Sequence, residues 1–395
     1  MSRILVTGMG VVSAIGSNVA ENRQSLINGI CGITRLEGFQ SRFAGLMPFG
    51  EIKKNNSGLA AKYNLTKPGI TRPCLLGLMA MKEMLDDAGL DEKILRSRST
   101  AFINATTVGG MCLTDELYHD ANAADTGSPY LGAYDNADTT LFLREYFGIG
   151  GVVNSINTAC SSSANAIAFG AALIKTGRAD RVIAGGVDCL AKFTINGFNS
   201  LHILSNELCR PFDESRKGLN LGEAAAYVVL ESEDVAQNKK SYATLTGYCN
   251  ANDAFHPSSL SDTGVGPYNA MHGALQKASL SPGDIGYINA HGTGTENNDL
   301  VESVAMQRLF ENQPAFSSTK GNTGHTLGAA GSLESIFSIL CLTNQEIYPA
   351  LQFENKIPET GLIPNREYRK YVIEHVMTNS FGFGGNCTSL IFSRS

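Results

Sequence analysis

Tryptophan is absent from the 395 residues, charged side chains make up only 17%, and no Lys/Arg block or low-complexity tract interrupts the chain. Each shortage excludes something. Without Trp, the Cys-Gly-x-Cys-Trp signature of papain-like hydrolases has no counterpart. With no basic block and a net charge of −6, nucleic acid is not an expected partner. The nine cysteines form no Cys-x-x-Cys pair, so neither a metal site nor a dithiol redox motif is expected. The chain lacks a basic-then-apolar start and shows no apolar run of membrane-spanning length, so a cytoplasmic protein without a membrane span is expected. A reducing cytoplasm also preserves free thiols. Thr7-Gly-Met-Gly10 opens like a dinucleotide-binding loop, but Ser13 stands where the third glycine belongs.

What is present is glycine, 42 residues of it, within a chain that is 43% hydrophobic. Length alone predicts two domains or a duplicated fold. Apolar runs that read as buried strands are Ile4–Thr7, Ala101–Ile103, Arg181–Ala184 and Ala225–Leu230. They alternate with helix-period segments at Leu75–Ala88, Thr139–Phe147, Ser162–Lys175, Ala270–Ala278 and Leu300–Phe310. Many glycines, such as Gly8, Gly10, Gly185 and Gly186, read as strand ends. The alternation predicts an α/β fold with sheets covered by helices. The charged, glycine-free stretch Glu231–Lys240 marks a boundary, giving halves 1–240 and 241–395.

Cys160 is the most informative residue. It lies in Asn157-Thr-Ala-Cys-Ser-Ser-Ser-Ala-Asn165, between the apolar run Gly151–Ile156 and a helix-like segment. At a strand-to-helix turn the helix's unpaired N–H groups and positive dipole end favour thiolate over thiol. Two Gly/Thr-rich loops supply candidate partners. Ile288-Asn-Ala-His-Gly-Thr-Gly-Thr295 carries His291, and Ser317–Gly331 carries Lys320 and His325. The other histidines, His119, His202, His256, His272 and His375, have ordinary surroundings. Near the C-terminus, Asn379-Ser-Phe-Gly-Phe-Gly-Gly-Asn386 surrounds Phe383 with glycines, whose freedom lets a main-chain N–H point into a pocket.

Taken together, Thr158-Ala-Cys-Ser-Ser162, His291-Gly-Thr-Gly-Thr295, Lys320-Gly-Asn-Thr-Gly-His325 and Phe381-Gly-Phe-Gly-Gly385 resemble the elongating β-ketoacyl-acyl carrier protein synthases, condensing enzymes of the thiolase superfamily. The likeness runs from Ile4 to the C-terminal loop and includes Arg210-Pro-Phe-Asp-Glu-Ser-Arg216. It implies two similar α/β halves in five α-β-α-β-α layers, and a dimer, homomeric or heteromeric. The order Cys, His, His matches the elongating class, since the initiating class has Asn for the second His. There are departures. Arg216-Lys-Gly-Leu-Asn-Leu-Gly-Glu-Ala-Ala225 replaces the usual Arg-Asp-Gly-Phe-Val-x-Gly-Glu-Gly-Ala, and Gly384-Gly-Asn-Cys387 replaces Gly-Gly-Thr-Asn. The Lys-Gly-Leu-Asn variant is similar to ketosynthases of aryl-polyene and flexirubin pigment clusters.

The resemblance implies a decarboxylating Claisen condensation of an acyl thioester with malonyl-acyl carrier protein. Cys160 would take the acyl chain from the carrier's phosphopantetheine, and no other cofactor is implied. His291 and His325 would stabilise the enolate left by CO₂. The main-chain N–H groups of Cys160 and Phe383 would form the oxyanion hole, with Phe383 also gating the acyl pocket. Lys320 and Glu334 would support the site. Thr293 and Thr295 would bind the pantetheine arm, while Val108, Met111 and Phe198 would line the acyl pocket. Lys53, Lys54, Lys62 and Lys67 are candidates for contact with an acidic carrier protein. Two competing identities sit in the same superfamily. A degradative thiolase uses a second cysteine as base, and a silent chain-length-factor subunit typically lacks the nucleophilic cysteine; the intact Cys160, His291 and His325 argue against both.

Overall fold

The computed structural model describes residues 3–123, 125, 127–237 and 239–395. Ten strands form one mixed sheet: β1 (Ile4–Ser13), β2 (Thr100–Ala105), β3 (Val153–Ile156), β4 (Arg181–Asp188), β5 (Ala224–Ser232), β6 (Ala243–Asn252), β7 (Tyr287–Asn289), β8 (Ala315–Ser317), β9 (His375–Phe381) and β10 (Asn386–Ser393). The first five lie in the order β3-β2-β4-β5-β1 and the last five in the order β8-β7-β9-β10-β6. These are one order used twice. In each set the third strand is the outer edge, followed by the second, fourth, fifth and first. The directions repeat as well, with β2 parallel to β3 and β4, and β7 parallel to β8 and β9. The two sets meet along β1 and β6, through Leu5–Thr244 and Val6–Ala243.

Helices complete the layers: α1 (Arg72–Ala88), α2 (Asp138–Phe147), α3 (Ser162–Lys175), α4 (Lys192–Ser200), α5 (Val265–Ala278), α6 (Glu296–Leu309) and α7 (Ala330–Asn344). α3 and α7 pack on each other, and each touches strands of both sets, so they form the central layer. α1 covers the outer face of the first set. α5, backed by α6, covers that of the second. This is the five-layer α/β arrangement of the thiolase-like fold.

Several boundaries differ from expectation, each for a packing reason. β1 runs ten residues, because Gly8 and Gly10 are not strand ends. A Cβ at Gly8 would come within 2.5 Å of the Ala88 Cβ, and one at Gly10 within 2.0 Å of the Ala80 carbonyl oxygen. These glycines let α1 lie directly on the strand. Gly185 is also in mid-strand, but there the close approach is to the neighbouring strand β5, its Cβ site lying 2.1 Å from the Ala226 oxygen. α5 begins at Val265 rather than Ala270, because Pro267 sits in the first turn, where its missing N–H costs nothing. α7 and the turn before it, Leu327–Asn344, form a stretch long and apolar enough to cross a bilayer, contrary to the expectation of none. That stretch is 89% buried inside the protein. A helix buried on every side is what a central layer requires, and the buried polar side chains it carries, Ser332, Glu334, Ser335 and Ser338, all find partners there. Within the charged stretch Glu231–Lys240, Glu231 and Ser232 still belong to β5, Glu231 is buried against Arg181 and Lys239, and Asn238 lies outside the described residues.

Candidate active site

The third strands, β3 and β8, end at equivalent places in the two sets. The turn carrying Cys160 follows β3, and the segment Lys320–His325 follows β8. His291 comes two residues after β7, the second strand of its set. Loops at the carboxyl ends of parallel strands are where such sheets build sites. The two segments are drawn together by the central helices. The Ser332 N–H donates to Ser163 Oγ at 2.8 Å, and a Cβ at Gly331 would lie 2.5 Å from the Ala164 nitrogen.

Locally, the Cys160 turn is closed by its own small side chains. Ala159 takes φ +55. The Thr158 N–H donates to Ser162 Oγ at 2.9 Å, and Ser161 Oγ donates to the Thr158 carbonyl at 2.8 Å. Gly382 approaches this turn so closely that a Cβ would be 2.7 Å from the Thr158 oxygen. That contact brings the Phe383 N–H to the Cys160 sulfur.

The Cys160 sulfur and one ring nitrogen of each of His291 and His325 lie within 4.8 Å of one another, all buried. The imidazoles are edge-to-face, with centroids 5.4 Å apart. His325 Nδ1 accepts the Leu327 N–H at 3.1 Å. His291 Nδ1 lies 3.3 Å from Lys320 Nζ, which also donates to the His291 carbonyl at 2.6 Å and pairs with Glu334. With Nδ1 occupied as an acceptor in both rings, each neutral imidazole carries its proton on Nε2. Burial, then Lys320, holds both histidines well below their ordinary range, with His325 adding to the effect on His291. Two neutral N–H donors therefore flank the thiol.

The thiol itself departs from the sequence-based expectation of a thiolate. Cys160 lies two residues ahead of Ser162, where α3 starts, and burial pushes it up to about 11. Lys320 and the N–H groups of Phe383 and Cys160 itself pull the other way, while Asp188 adds to the rise. Dehydration outweighs the helix end. Burial also raises Glu334 to about 7 against the pull of Lys320.

A cavity of about 320 Å³ opens above these atoms. Cys160, His291, His325, Thr293, Thr295, Phe198 and Phe383 all line it. Phe198 and Phe383 stack, with centroids 5.6 Å apart and planes 19° from parallel. Lys320 and Glu334 stand behind the histidines. Val108 does not line this cavity. It belongs to an apolar cluster with Leu190, Ile195 and Leu327, against which Phe198 and Met111 pack. Thr293 and Thr295 share a hydroxyl–hydroxyl hydrogen bond of 2.8 Å. Of the surface lysines, Lys53 is engaged with Glu51 at 2.5 Å and Glu37 at 3.5 Å, and Lys62 lies over the Tyr63 ring.

Two family models match: the β-ketoacyl synthase N-terminal domain over residues 1–236 and the C-terminal domain over residues 242–354. The chain belongs to the β-ketoacyl synthase family. It is 33% identical to a putative mitochondrial 3-oxoacyl-[acyl-carrier-protein] synthase of Schizosaccharomyces pombe, covering 100% of this chain and 99% of that one. Against 3-oxoacyl-[acyl-carrier-protein] synthase 2 of Vibrio cholerae the identity is 32%, over 99% of both. Among solved structures, the ishigamide ketosynthase/chain length factor superposes with a TM-score of 0.91 at 26% identity, covering 100% of this chain and 99% of that chain. A chain from the structure of a Xenorhabdus doucetiae ketosynthase in complex with its chain length factor gives 0.88 at 30% identity, covering 100% of this chain and 98% of that chain. As a β-ketoacyl synthase, the protein is an acyl-transferring condensing enzyme of fatty acid or polyketide chain elongation.

Three buried carboxylates in this synthase escaped the sequence. Glu302 on α6 accepts the His291 and Gly292 N–H groups at 2.9 and 2.8 Å. One turn earlier, Asp299 accepts the Thr293 and Gly294 N–H groups. Asp188, at the end of β4, joins the two sets by accepting from Thr106, Thr107 and Val108 on one side and from Gly328, just past His325, on the other. A signal for the first two existed. Glu296, Asp299 and Glu302 recur every three residues directly after the Gly-Thr-Gly-Thr loop, a face that folds back on its own N-terminal loop.

Proposed function

We propose that this synthase joins an acyl thioester to malonyl-acyl carrier protein by decarboxylating Claisen condensation, with Cys160, His291 and His325 as the catalytic residues. The observation that carries the proposal is the thiol flanked, within 4.8 Å, by two imidazoles whose Nδ1 atoms are both engaged. In the first half-reaction, Cys160 Sγ attacks the carrier's thioester carbonyl. The bond to the pantetheine sulfur breaks, and the thiol proton ends on that departing sulfur. The N–H groups of Cys160 and Phe383 receive the transient oxyanion. In the second, the malonyl thioester oxygen accepts the two Nε2–H groups. As CO₂ leaves, its bonding pair forms the enolate, which attacks acyl-Cys160 and expels the cysteine sulfur as a thiolate, which takes up a proton from water to restore the thiol.

Lys320 holds His291 in its neutral donor form and favours ionised Cys160, and Glu334 balances the lysine. Thr293 and Thr295 flank the path of the pantetheine arm. Separating Phe198 from Phe383 would open the way towards Val108 and Met111, where the acyl chain lies. These steps need no cofactor beyond the carrier's own phosphopantetheine. The working form is a homodimer in the cytoplasm, where nine free thiols are compatible with the redox state. A second reading is a ketosynthase of a pigment-type pathway with a chain-length-factor partner. It is favoured by the Lys217-Gly-Leu-Asn220 departure and by relatives solved with such a factor.

The test uses Cys160→Gln, whose amide mimics the acylated thiol and leaves both histidines free. It should release CO₂ from malonyl-acyl carrier protein without forming product, and adding His291→Ala or His325→Ala should cut that release by roughly 10²–10³. Background CO₂ release from Cys160→Gln would refute this division of roles. So would product formed by Cys160→Ala.

A further inference from the structure

We propose that Asn386 is a positioning residue that sets the distance between the two main-chain donors of the oxyanion hole, the N–H groups of Cys160 and Phe383. This rests on the acyl-transfer role of Cys160 given above. The two donors come from opposite sets of strands, so something must hold their spacing. The Asn386 side chain grips the Cys160 side. Its Oδ1 accepts Asn165 Nδ2 at 2.9 Å and Asn250 Nδ2 at 2.7 Å, and shares the single Ser161 Oγ proton with the Thr158 carbonyl, at 2.7 and 2.8 Å respectively. Ser161 adjoins the nucleophile. Asn165, in the first turn of α3, also donates to Thr158 Oγ1 at 2.8 Å, so the turn is held on both sides of Cys160.

The Asn386 main chain grips the Phe383 side. Its carbonyl accepts the Gly382 N–H at 2.7 Å, and the Gly385 N–H donates to the Gly382 carbonyl at 3.1 Å. These bonds close the loop that carries Phe383 at its tip. β6 and β10 anchor the cluster further, since Asn250 Nδ2 donates to Thr388 Oγ1 at 2.8 Å and Thr388 Oγ1 donates to Asn165 Oδ1 at 2.8 Å. One residue thus ties the nucleophile turn to the loop that supplies the second donor. The family's usual Gly-Gly-Thr-Asn would place a threonine here, with a shorter reach and a single hydroxyl oxygen to offer. The Gly384-Gly-Asn-Cys387 departure has a function: this chain links the two donors through an amide.

The experiment compares transfer of an acyl group from acyl-carrier protein to Cys160, followed by intact-protein mass, with alkylation of the same thiol by iodoacetamide. Alkylation has no oxyanion and does not need the hole. Asn386→Leu should lower the acyl-transfer rate constant about ten- to hundredfold, with KM for the carrier and alkylation each within about twofold. Asn386→Asp keeps the accepting oxygen and should restore acyl transfer to within about threefold of the parent. Acyl transfer by Asn386→Leu at the parent rate would overturn the proposal. A parallel loss of transfer and alkylation would also overturn it, because it would mean that the whole turn had moved. Acylation persisting in Cys160→Ala would instead refute the nucleophile assignment itself.

Discussion

Cys160 is a buried thiol that keeps its proton at neutral pH, and this governs how it responds to pH. Because burial raises it to about 11, its alkylation rate should climb about tenfold per pH unit from pH 7 towards that value. Lys320 is the largest influence pulling the other way. Lys320→Ala should therefore move the profile to still higher pH, and its defect should ease as pH rises. A profile unchanged in Lys320→Ala would show that the ammonium acts on His291 alone. The histidines should behave differently. Both are held neutral, chiefly by burial, so CO₂ release by Cys160→Gln should stay flat between pH 8 and 6, with no fall near the ordinary imidazole range. A decline centred near pH 6.5 would mean that the rings are hydrated and lack the donor form proposed here.

At the scale of elements, α6 acts as a scaffold for the loop that leads into it. Glu302 and Asp299 take up main-chain N–H groups from His291 to Gly294, and Asn379 Nδ2 donates to Glu302 at 3.1 Å from β9. Burial raises Glu302 to about 7 despite those donors. Glu302→Ala leaves two buried main-chain N–H groups unpaired, at about 1–3 kcal/mol each, and takes from Asn379 Nδ2 its carboxylate acceptor. It should lower stability in urea by about 2–6 kcal/mol and weaken decarboxylation more than acyl transfer, because it loosens His291 and leaves Cys160 in place. Equal losses in both half-reactions would show that α6 supports the whole site. Most of the elements were legible from apolar periodicity, including α1, α2, α3 and the strand cores. Both ends of α3 and the C-terminal ends of α1 and α2 were legible too, but the C-terminal end of β1 and the start of α5 were not, because Gly8 and Gly10 read as strand ends until the packing helix is known and α5 starts five residues before its expected Ala270.

For the whole molecule, the outer strand β3 is paired, among the described residues, on one side only, with β2. The carbonyls of Val152 and Ile156 accept N–H groups of Phe102 and Thr106, so alternation turns the main-chain groups of Val153 and Ser155 outward. An open edge invites a second copy, and Tyr118, Leu131, Tyr134 and Leu141, from the neighbouring segments of the same half, are exposed. Light scattering should give twice the chain mass, and Val153→Pro, which removes one outward N–H at the start of the strand, should shift the protein towards the monomer. A wild-type monomer would refute the homodimer. A stable complex formed only with a chain-length-factor subunit would favour the heteromeric reading.

The sequence alone brought the candidate site residues forward. Cys160, His291, Lys320, His325 and Phe383 were legible as a set, because the short Gly/Thr- or Ser-rich motifs that carry them are ordinary one by one and resemble a single family only together. It also determined the alternation of strands and helices, since burial on a 2- or 3.6-residue period leaves a pattern in the letters. Only the tertiary structure decided the rest. The duplication shows in the strand order and not in the residues, because a buried strand asks only for small or apolar side chains. The protonation of Cys160 follows from how completely the fold removes water, which overrides the helix end beside it. The tautomers of the histidines depend on Leu327 and Lys320, whose contact with the rings no spacing reveals. Glu302, Asp188 and Asn386 hold together segments up to 225 positions apart, and a hydrogen bond between such segments exists only once the chain has folded.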